Sequence, residues 1–225
     1  MASCRRCARI TGAIERDVLR GALWPVRVFR DLSSRTKHRD APRSVDITMV
    51  FEDGREELVP VPIEQAPIVF IFPVFAPPGI IEASGYTAGV RVRGTAAVAF
   101  GDKHKDIAAR YGAKSFRISQ TTDPVTFARM LAKIAYAMAS ADGSLGRLET
   151  AYPVVSSILG RTDDVGRWVG SYTDLPPRHP NILHHLIARE FRERGIFVYE
   201  VQLFADSQAP CYTVVLGTLP KEPAA

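Results

Sequence analysis

The sequence predicts an α+β protein, because segments with helical periodicity near its start and middle are separated by stretches in which apolar residues alternate. The chain has 225 residues, of which 46% are hydrophobic and 24% are charged. These proportions are typical of a globular protein, and the length is sufficient to bury a sizeable core. We expect a basic helical segment at 1–43, an α+β domain at 44–219 and a disordered tail at 220–225.

The N-terminal segment predicts one amphipathic helix followed by a linker. Apolar residues recur at helical spacing over 8–23, and Pro25 ends the pattern. The apolar face consists of Ile10, Ile14, Val18 and Leu23. The polar, basic stretch 33–43 then predicts a linker, and with it a domain boundary.

The chain then alternates in the manner of strands. Apolar residues at every second position over 45–51 lead into the turn signal Glu52-Asp53-Gly54-Arg55, which predicts a β-hairpin. Prolines at 60, 62 and 67 restrict its second strand to a sheet edge or end it. The elements expected next are a buried strand at 68–75, extended segments at 90–94 and 96–100, a short helix at 104–111 and a strand at 115–120.

A long helix is the clearest element of the C-terminal half. Asp123 is a good N-cap, Pro124 suits the first helical position, and the pattern ends near Asp142. One apolar face carries Phe127, Met130, Leu131, Ile134, Ala135 and Met138, which we interpret as core packing. The glycine-punctuated stretch 159–170 predicts a loop, and the alternation over 182–216 predicts an antiparallel meander.

No segment of the sequence predicts a membrane span. The longest apolar run, 66–81, is too short to cross a bilayer and contains four prolines. The N-terminus is basic but lacks the apolar core of a secretion signal. We therefore expect a cytoplasmic protein without a membrane partner.

Positive charge is concentrated at the start of the chain. Residues 1–43 contain eleven Arg and Lys against four acids, a net charge of +7 within an overall +5, which leaves −2 for the remainder. Clustered arginines suit phosphate backbones, so DNA or RNA is the expected partner of this segment. The candidate contacts are Arg5, Arg6, Arg9, Arg16 and Arg20. The alternative is a solvated basic face without a ligand.

Two of the three cysteines form a Cys4-x-x-Cys7 pair, whereas Cys211 is far away in the sequence. This distribution argues against a disulfide framework. The pair can supply two thiolates to one structural Zn²⁺ from a tight turn, which is half of a tetrahedral site. Arg5 and Arg6 would lower the thiol pKa values, which suits metal binding or redox chemistry. We favour zinc, because a thioredoxin-like motif follows a strand.

The segment around the cysteines resembles bacterial HNH-endonuclease-like proteins, in which a similar segment closes the nuclease module. The resemblance is carried by Ala2-Ser3-Cys4-Arg5-Arg6-Cys7-Ala8-Arg9-Ile10-Thr11-Gly12-Ala13-Ile14-Glu15, Leu19-Arg20-Gly21 and Trp24-Pro25-Val26-Arg27. It implies an earlier Cys-x-x-Cys pair that shares the zinc, together with a strand and a catalytic histidine. In that fold the histidine activates water, and Mg²⁺ or another divalent ion stabilises the phosphate.

The expected catalytic histidine would precede Cys4, so we expect no catalytic residue within this chain. Its five histidines are His38, His104, His179, His184 and His185. His184 and His185 are adjacent on a predicted strand and should point to opposite faces, which prevents them from sharing an ion. A further charged cluster, Asp163-Asp164 with Arg161 and Arg167, is interpreted as ordinary loop residues.

Three functional hypotheses follow from the sequence. The first is an HNH-endonuclease-like protein without its N-terminal half, associated with nucleic acid and hydrolytic only when that half is restored. The second is a noncatalytic binding or scaffolding protein in which the cysteines are a vestige or an intermolecular zinc clip. The third, an enzyme that uses the middle of the chain, is weaker because no recognisable nucleophile, phosphate loop or cofactor motif occurs there.

Overall fold

A computed structural model describes residues 4–32, 43–82, 88–171 and 176–220. Helices and antiparallel sheets are both present in these ranges, which confirms the predicted α+β class. The predicted linker at 33–43 and the predicted tail fall almost entirely outside the described residues. The domain boundary between 43 and 44 therefore stays a prediction.

Contacts between residues divide the chain into two compact units, each assembled from separate stretches. Unit 1 contains Met1–Val18, Phe72–Ala96 and Asp123–Ala225. Unit 2 contains Leu19–Ile71 and Ala97–Thr122. The chain passes from one unit to the other four times, so neither unit is a continuous piece of sequence.

The N-terminal segment forms three helical parts. Helix α1 spans Arg5–Arg16, a π-helical turn follows at Asp17–Ala22, and α2 spans Trp24–Phe29. The chain kinks at Gly21, whose φ of −90° and ψ of −108° are not helical. The helix and its π-helical turn end at Ala22, before Pro25 as predicted, and α2 is a separate short helix that the pattern did not predict. Pro25 lies in the first turn of α2. Proline is tolerated there because the backbone N–H that it lacks would have no hydrogen-bond partner within the helix.

Unit 2 contains a three-stranded sheet in the order β2-β1-β5. The strands are β1 Ser44–Val50, β2 Glu56–Pro62 and β5 Ser115–Arg117. Strands β1 and β2 are antiparallel, which confirms the hairpin, and β2 is an edge strand, one of the two alternatives that its prolines left open. The short helix α4, Ile107–Arg110, buries Ile107 completely.

Strands β3, Ile68–Phe75, and β4, Val92–Phe100, pair with each other in a two-stranded sheet. Strand β3 is largely buried, as its continuous apolar run predicted. The two extended segments predicted at 90–94 and 96–100 form the single strand β4. Helix α3, Gly79–Glu82, lies between β3 and β4 in sequence.

Unit 1 contains a five-stranded antiparallel sheet in which β10 is central. Strand β9 pairs with one side of β10, while β6 and β7 share its other side, and β8 forms an edge beside β9. The strands are β6 Thr150–Ala151, β7 Val169–Ser171, β8 His184–Phe191, β9 Ile196–Leu203 and β10 Cys211–Thr218. Strands β8, β9 and β10 confirm the predicted meander.

The long helix α5, Pro124–Ala141, covers one face of this sheet. Its N-terminus is capped as predicted, because the backbone N–H of Thr126 donates to the Asp123 carboxylate at 2.8 Å. Its C-terminal end is held by the Tyr199 hydroxyl, which donates to Asp142. Met138 was predicted on the apolar face but is 38% exposed. No helix among the described residues is both long and apolar enough to cross a membrane.

The prediction of a loop at 159–170 is wrong for its second half, which forms a short helix and the first residues of β7. Helix α6 spans Val154–Ile158, and α7, Val165–Trp168, leads directly into β7. Trp168 is buried, and its indole N–H donates to Ser157 Oγ at 3.0 Å. Gly170 lies opposite Thr213 of β10, and a Cβ atom there would approach Pro78 N to 2.4 Å. The glycine that favoured a loop is needed for close packing.

Replacing Gly170 tests this packing. Gly170→Ala should lower the free energy of unfolding by about 1–3 kcal/mol, because the added methyl group overlaps Pro78 and the Ala76 carbonyl oxygen. Gly12→Ala in α1 is the matched control, since its Cβ would meet no atom within 4 Å. The control should be neutral or stabilising by up to about 1 kcal/mol. Urea denaturation measures both, and equal stabilities of the two variants would contradict the packing argument.

Candidate nucleic-acid and metal-binding site

The cysteine pair lies in the first turn of α1. Cys4 is the N-cap, and its Sγ accepts a hydrogen bond from the Cys7 N–H at 3.3 Å. The two thiols also share a hydrogen bond, with their sulfur atoms 3.0 Å apart. Cys4 is exposed and Cys7 is half-buried. The Cys-x-x-Cys spacing therefore places both sulfurs on one side of the helix start, where solvent or a further ligand reaches them.

The two thiols differ in acidity because one donates to the other. The hydrogen bond from Cys7 lowers the pKa of Cys4 and raises the pKa of Cys7. Backbone N–H groups at the helix start act in the same direction on Cys4. The positive charge of Arg161 favours the thiolate form of both residues, although the net shift of the pKa at Cys7 remains upward. Cys4 is thus the sulfur that deprotonates first.

The geometry fits half of a zinc site after a small adjustment. Two thiolates bound tetrahedrally at about 2.3 Å from Zn²⁺ lie about 3.8 Å apart, so the sulfurs would separate by a side-chain rotation. Within the described ranges, no group of three or more His, Cys, Asp and Glu residues is arranged to hold a metal ion. Cys4 and Cys7 are therefore two candidate donors of the predicted zinc site.

Four of the five predicted phosphate contacts lie on α1, and all four are exposed: Arg5, Arg6, Arg9 and Arg16. At about 100° per residue, three of them fall within about 40° around the helix axis, whereas Arg6 is displaced by about 100° from Arg5. They span about 16 Å along the axis. Arg20 is also exposed, but it lies in the π-helical turn and belongs to unit 2.

The orientation of α1 is fixed by its opposite face. Ile14 and Val18, from the helix and the turn that follows it, are 4% and 3% exposed. Glu15 forms an ion pair with Lys133 of α5, which fastens α1 to the long helix of unit 1. The apolar positions that predicted the helix thus face the core, and the arginines face solvent.

Arg161 is a functional candidate that sequence reasoning did not assign. It is exposed and close enough to the cysteines to affect both electrostatically, although more than 150 residues separate them. Its loop is ordered by Asp164, which accepts hydrogen bonds from Ser157 Oγ at 2.5 Å and Thr162 Oγ1 at 2.6 Å. Asp164 therefore has a structural role, while Arg161 contributes a positive charge near Cys4.

The histidine pair on β8 does not form a shared site. His184 Nδ1 accepts from the Phe204 N–H at 3.2 Å, whereas the ring of His185 contacts that of His179 at a centroid distance of 4.2 Å. Desolvation lowers the pKa of both residues, and His179 contributes at His185. The two adjacent rings thus have different partners, as expected for neighbours on a strand. His38 lies outside the described residues.

Comparisons with known proteins return no relative: no family model, no curated protein and no solved structure matches this chain. The resemblance to HNH-endonuclease-like proteins therefore stays a prediction.

The cysteine geometry makes a prediction about alkylation. In the metal-free protein, Cys4 should react with iodoacetamide at lower pH than Cys7, because its thiolate is stabilised while that of Cys7 is disfavoured. Cys211 should react last, since burial raises its pKa to about 12. Peptide mass spectrometry at several pH values measures the three rates. Alkylation of Cys211 as fast as Cys4 in the folded chain would contradict the assignment.

Proposed function

We propose that this chain is a nucleic-acid-associated, HNH-endonuclease-like protein that contacts phosphates through the exposed arginines of α1. Cys4 and Cys7 contribute half of a structural zinc site next to that surface. The observation that supports the proposal most directly is the orientation of α1, whose apolar face is buried while Arg5, Arg9 and Arg16 face solvent together. The proposal places the protein in the cytoplasm, where thiols stay reduced and nucleic acids are present.

Charge spacing supports a polyanion as the ligand. The exposed arginines extend over about 16 Å, while a DNA duplex carries one negative charge per about 1.7 Å of its axis. Several phosphates are therefore within reach of one helix face. Arg161 adds a further positive charge near Cys4, at the start of the same helix. Contacts of this kind give affinity without base readout.

Zinc would have a structural role in this arrangement. Bound to Cys4 and Cys7, it would fix the first turn of α1 and hence the directions of Arg5, Arg6 and Arg9. Hydrolysis of a phosphodiester bond would require the complete HNH module that the resemblance implies, in which a histidine would activate water and a divalent ion would supply charge stabilisation at the phosphate. The residues of this chain are assigned binding and positioning roles only.

Removing the aligned arginines should weaken DNA binding and change its salt dependence. For Arg5→Gln/Arg9→Gln/Arg16→Gln we expect the slope of log K against log salt to decrease in magnitude by up to about 2.7, at about 0.9 per phosphate contact. Fluorescence anisotropy with a labelled duplex at several salt concentrations measures this slope. Substitution is preferable to deletion, because α1 also contributes Ile14 to the core.

The control variant removes the same charge elsewhere. Arg55, Arg117 and Arg192 are exposed and paired with Glu57, Glu56 and Glu190. Arg55→Gln/Arg117→Gln/Arg192→Gln should leave the slope and the affinity nearly unchanged. If both triple variants lose binding equally, overall charge rather than the α1 surface is responsible, and the proposed interface is incorrect.

Zinc content distinguishes the two functional hypotheses. At equilibrium with Zn²⁺, the wild-type chain should bind zinc weakly through the two thiolates of this half-site. Cys4→Ser and Cys7→Ser should each abolish this binding, whereas Cys211→Ser should not. One zinc per two chains, together with dimerisation, would favour the noncatalytic alternative with an intermolecular clip. The exposed position of Cys4 is compatible with that arrangement. A zinc content that survives both Cys4→Ser and Cys7→Ser would refute the metal assignment.

Nicking of supercoiled DNA tests the catalytic part. With Mg²⁺ or Mn²⁺, this chain alone should bind but not cleave, because the histidine of the HNH module is not among its residues. Cleavage should appear only when an HNH segment that carries the first cysteine pair and the histidine is joined in frame before Cys4. Metal-dependent nicking by the present sequence would overturn the assignment of binding and positioning roles.

A further inference from the structure

Unit 1 contains a cavity of about 260 Å³ that is separate from the arginine surface of α1. It is lined by residues of the α3 region and by residues of β7, β10 and the β8–β9 hairpin. Thr213 lies on the face of β10 opposite to Tyr212, the residue that contacts α5. The cavity is therefore on the side of the sheet that α5 does not cover.

The walls of the cavity are apolar and held in place by neighbouring packing. They consist of Pro77, Pro78, Ile81 and Phe191. Pro78 presses against Gly170, and the Ile81 N–H donates to the Pro78 carbonyl at 2.8 Å. Ile81 also packs against the buried cluster of Ile196, Val198 and Val215. The space is thus preformed by rigid residues, which reduces the ordering cost of binding.

Among the described residues that line this apolar space, Arg194 is the one cationic group. Arg194 is exposed and lines the cavity, and within the described part of the chain no ion pair or hydrogen bond occupies its guanidinium. Arg192, two residues earlier in the same hairpin, differs because it donates to Glu190 at 2.8 Å. The hairpin is closed by the Gly195 N–H, which donates to the Arg192 carbonyl at 3.0 Å.

The two hydroxyl-bearing residues of the lining have different roles. Ser171 Oγ accepts from the Phe75 N–H at 2.9 Å, so it is part of the core. Thr213 is 4% exposed, and no side-chain hydrogen bond engages its hydroxyl within the described residues. An apolar space with one unpaired cation and one available hydroxyl suits a ligand that is apolar over most of its length and anionic at one end.

We propose that this cavity binds a small hydrophobic carboxylate, whose apolar body lies between Pro77, Pro78 and Phe191 and whose carboxylate pairs with Arg194. The volume holds about nine water molecules at about 30 Å³ each, which corresponds to a ligand of about ten non-hydrogen atoms. A guanidinium binds a carboxylate through two parallel hydrogen bonds. This geometry favours a carboxylate over other anionic groups, in addition to the attraction between opposite charges. The site depends on none of the residues of the proposed nucleic-acid surface.

Octanoate is a suitable probe, with octanamide as its uncharged counterpart, and both can be titrated into the full chain by isothermal calorimetry. The wild-type chain should bind octanoate saturably and octanamide about tenfold more weakly, because the amide lacks the charge-assisted pair with Arg194. Arg194→Gln should weaken octanoate binding by about tenfold and leave octanamide unchanged. Arg192→Gln, the matched control on the same hairpin, should stay within about twofold of wild type for both probes.

A second variant tests the apolar part of the site. Phe191 is 36% exposed, so Phe191→Ala should leave the chain folded, which the unfolding midpoint verifies. This variant should weaken octanoate and octanamide by similar factors, because both lose the same wall. The proposal is overturned if octanoate does not bind saturably, if octanamide binds as tightly, or if Arg192→Gln weakens binding as much as Arg194→Gln.

Discussion

The organisation of unit 1 depends on one buried phenol. Tyr212 of β10 is completely buried, and its ring contacts Phe127 of α5 at 5.6 Å and Phe75 of β3 at 5.7 Å between centroids. Its hydroxyl donates to the Pro73 carbonyl at 2.9 Å, which satisfies a polar atom that would otherwise be costly to bury. Desolvation raises the pKa of Tyr212 well above its ordinary value, so the side chain stays neutral. One residue thus joins a strand, a helix and a distant segment of chain.

The orientation of the exposed arginines on α1 depends on this packing of α5 against the sheet. Because Phe127 fixes α5 on the sheet, Lys133 is held where Glu15 can pair with it. The pairing and the burial of Ile14 determine which side of α1 faces outward. The arginines are therefore positioned by contacts on the far side of their helix. A weakened core in unit 1 would therefore change the orientation of these arginines without altering the arginines themselves.

Much of the fold could be predicted from local patterns. Helical spacing identified α5, strict alternation identified the hairpin of unit 2 and the C-terminal meander, and proline placement restricted β2 to a sheet edge. These elements could be predicted because their buried residues recur every 3.6 residues in a helix and every second residue in a strand, on average. Residues 165–171 could not, since Gly170 is required by the approach of Pro78, which is distant in sequence.

The candidate site was predictable to a similar extent. Cys4 and Cys7 are close in sequence at the start of α1, and the helical period aligns Arg5, Arg9 and Arg16 along that helix. Arg161 approaches the cysteines only through the packing of a distant loop, and its charged neighbours gave no sign of this. The π-helical turn was also hidden, because Asp17–Ala22 continues the apolar spacing of the helix before it. Tertiary contacts, not local preferences, determine these features.

The position of β10 within its sheet also affects how the protein forms. Strand β10 follows β6, β7, β8 and β9 in the chain, yet it pairs with three of those four strands. During synthesis, α5 and the edge of β9 that pairs with β10 are made before β10 itself. The nascent chain consequently exposes the unpaired edge of β9 until β10 emerges, and unpaired strand edges of this kind favour aggregation.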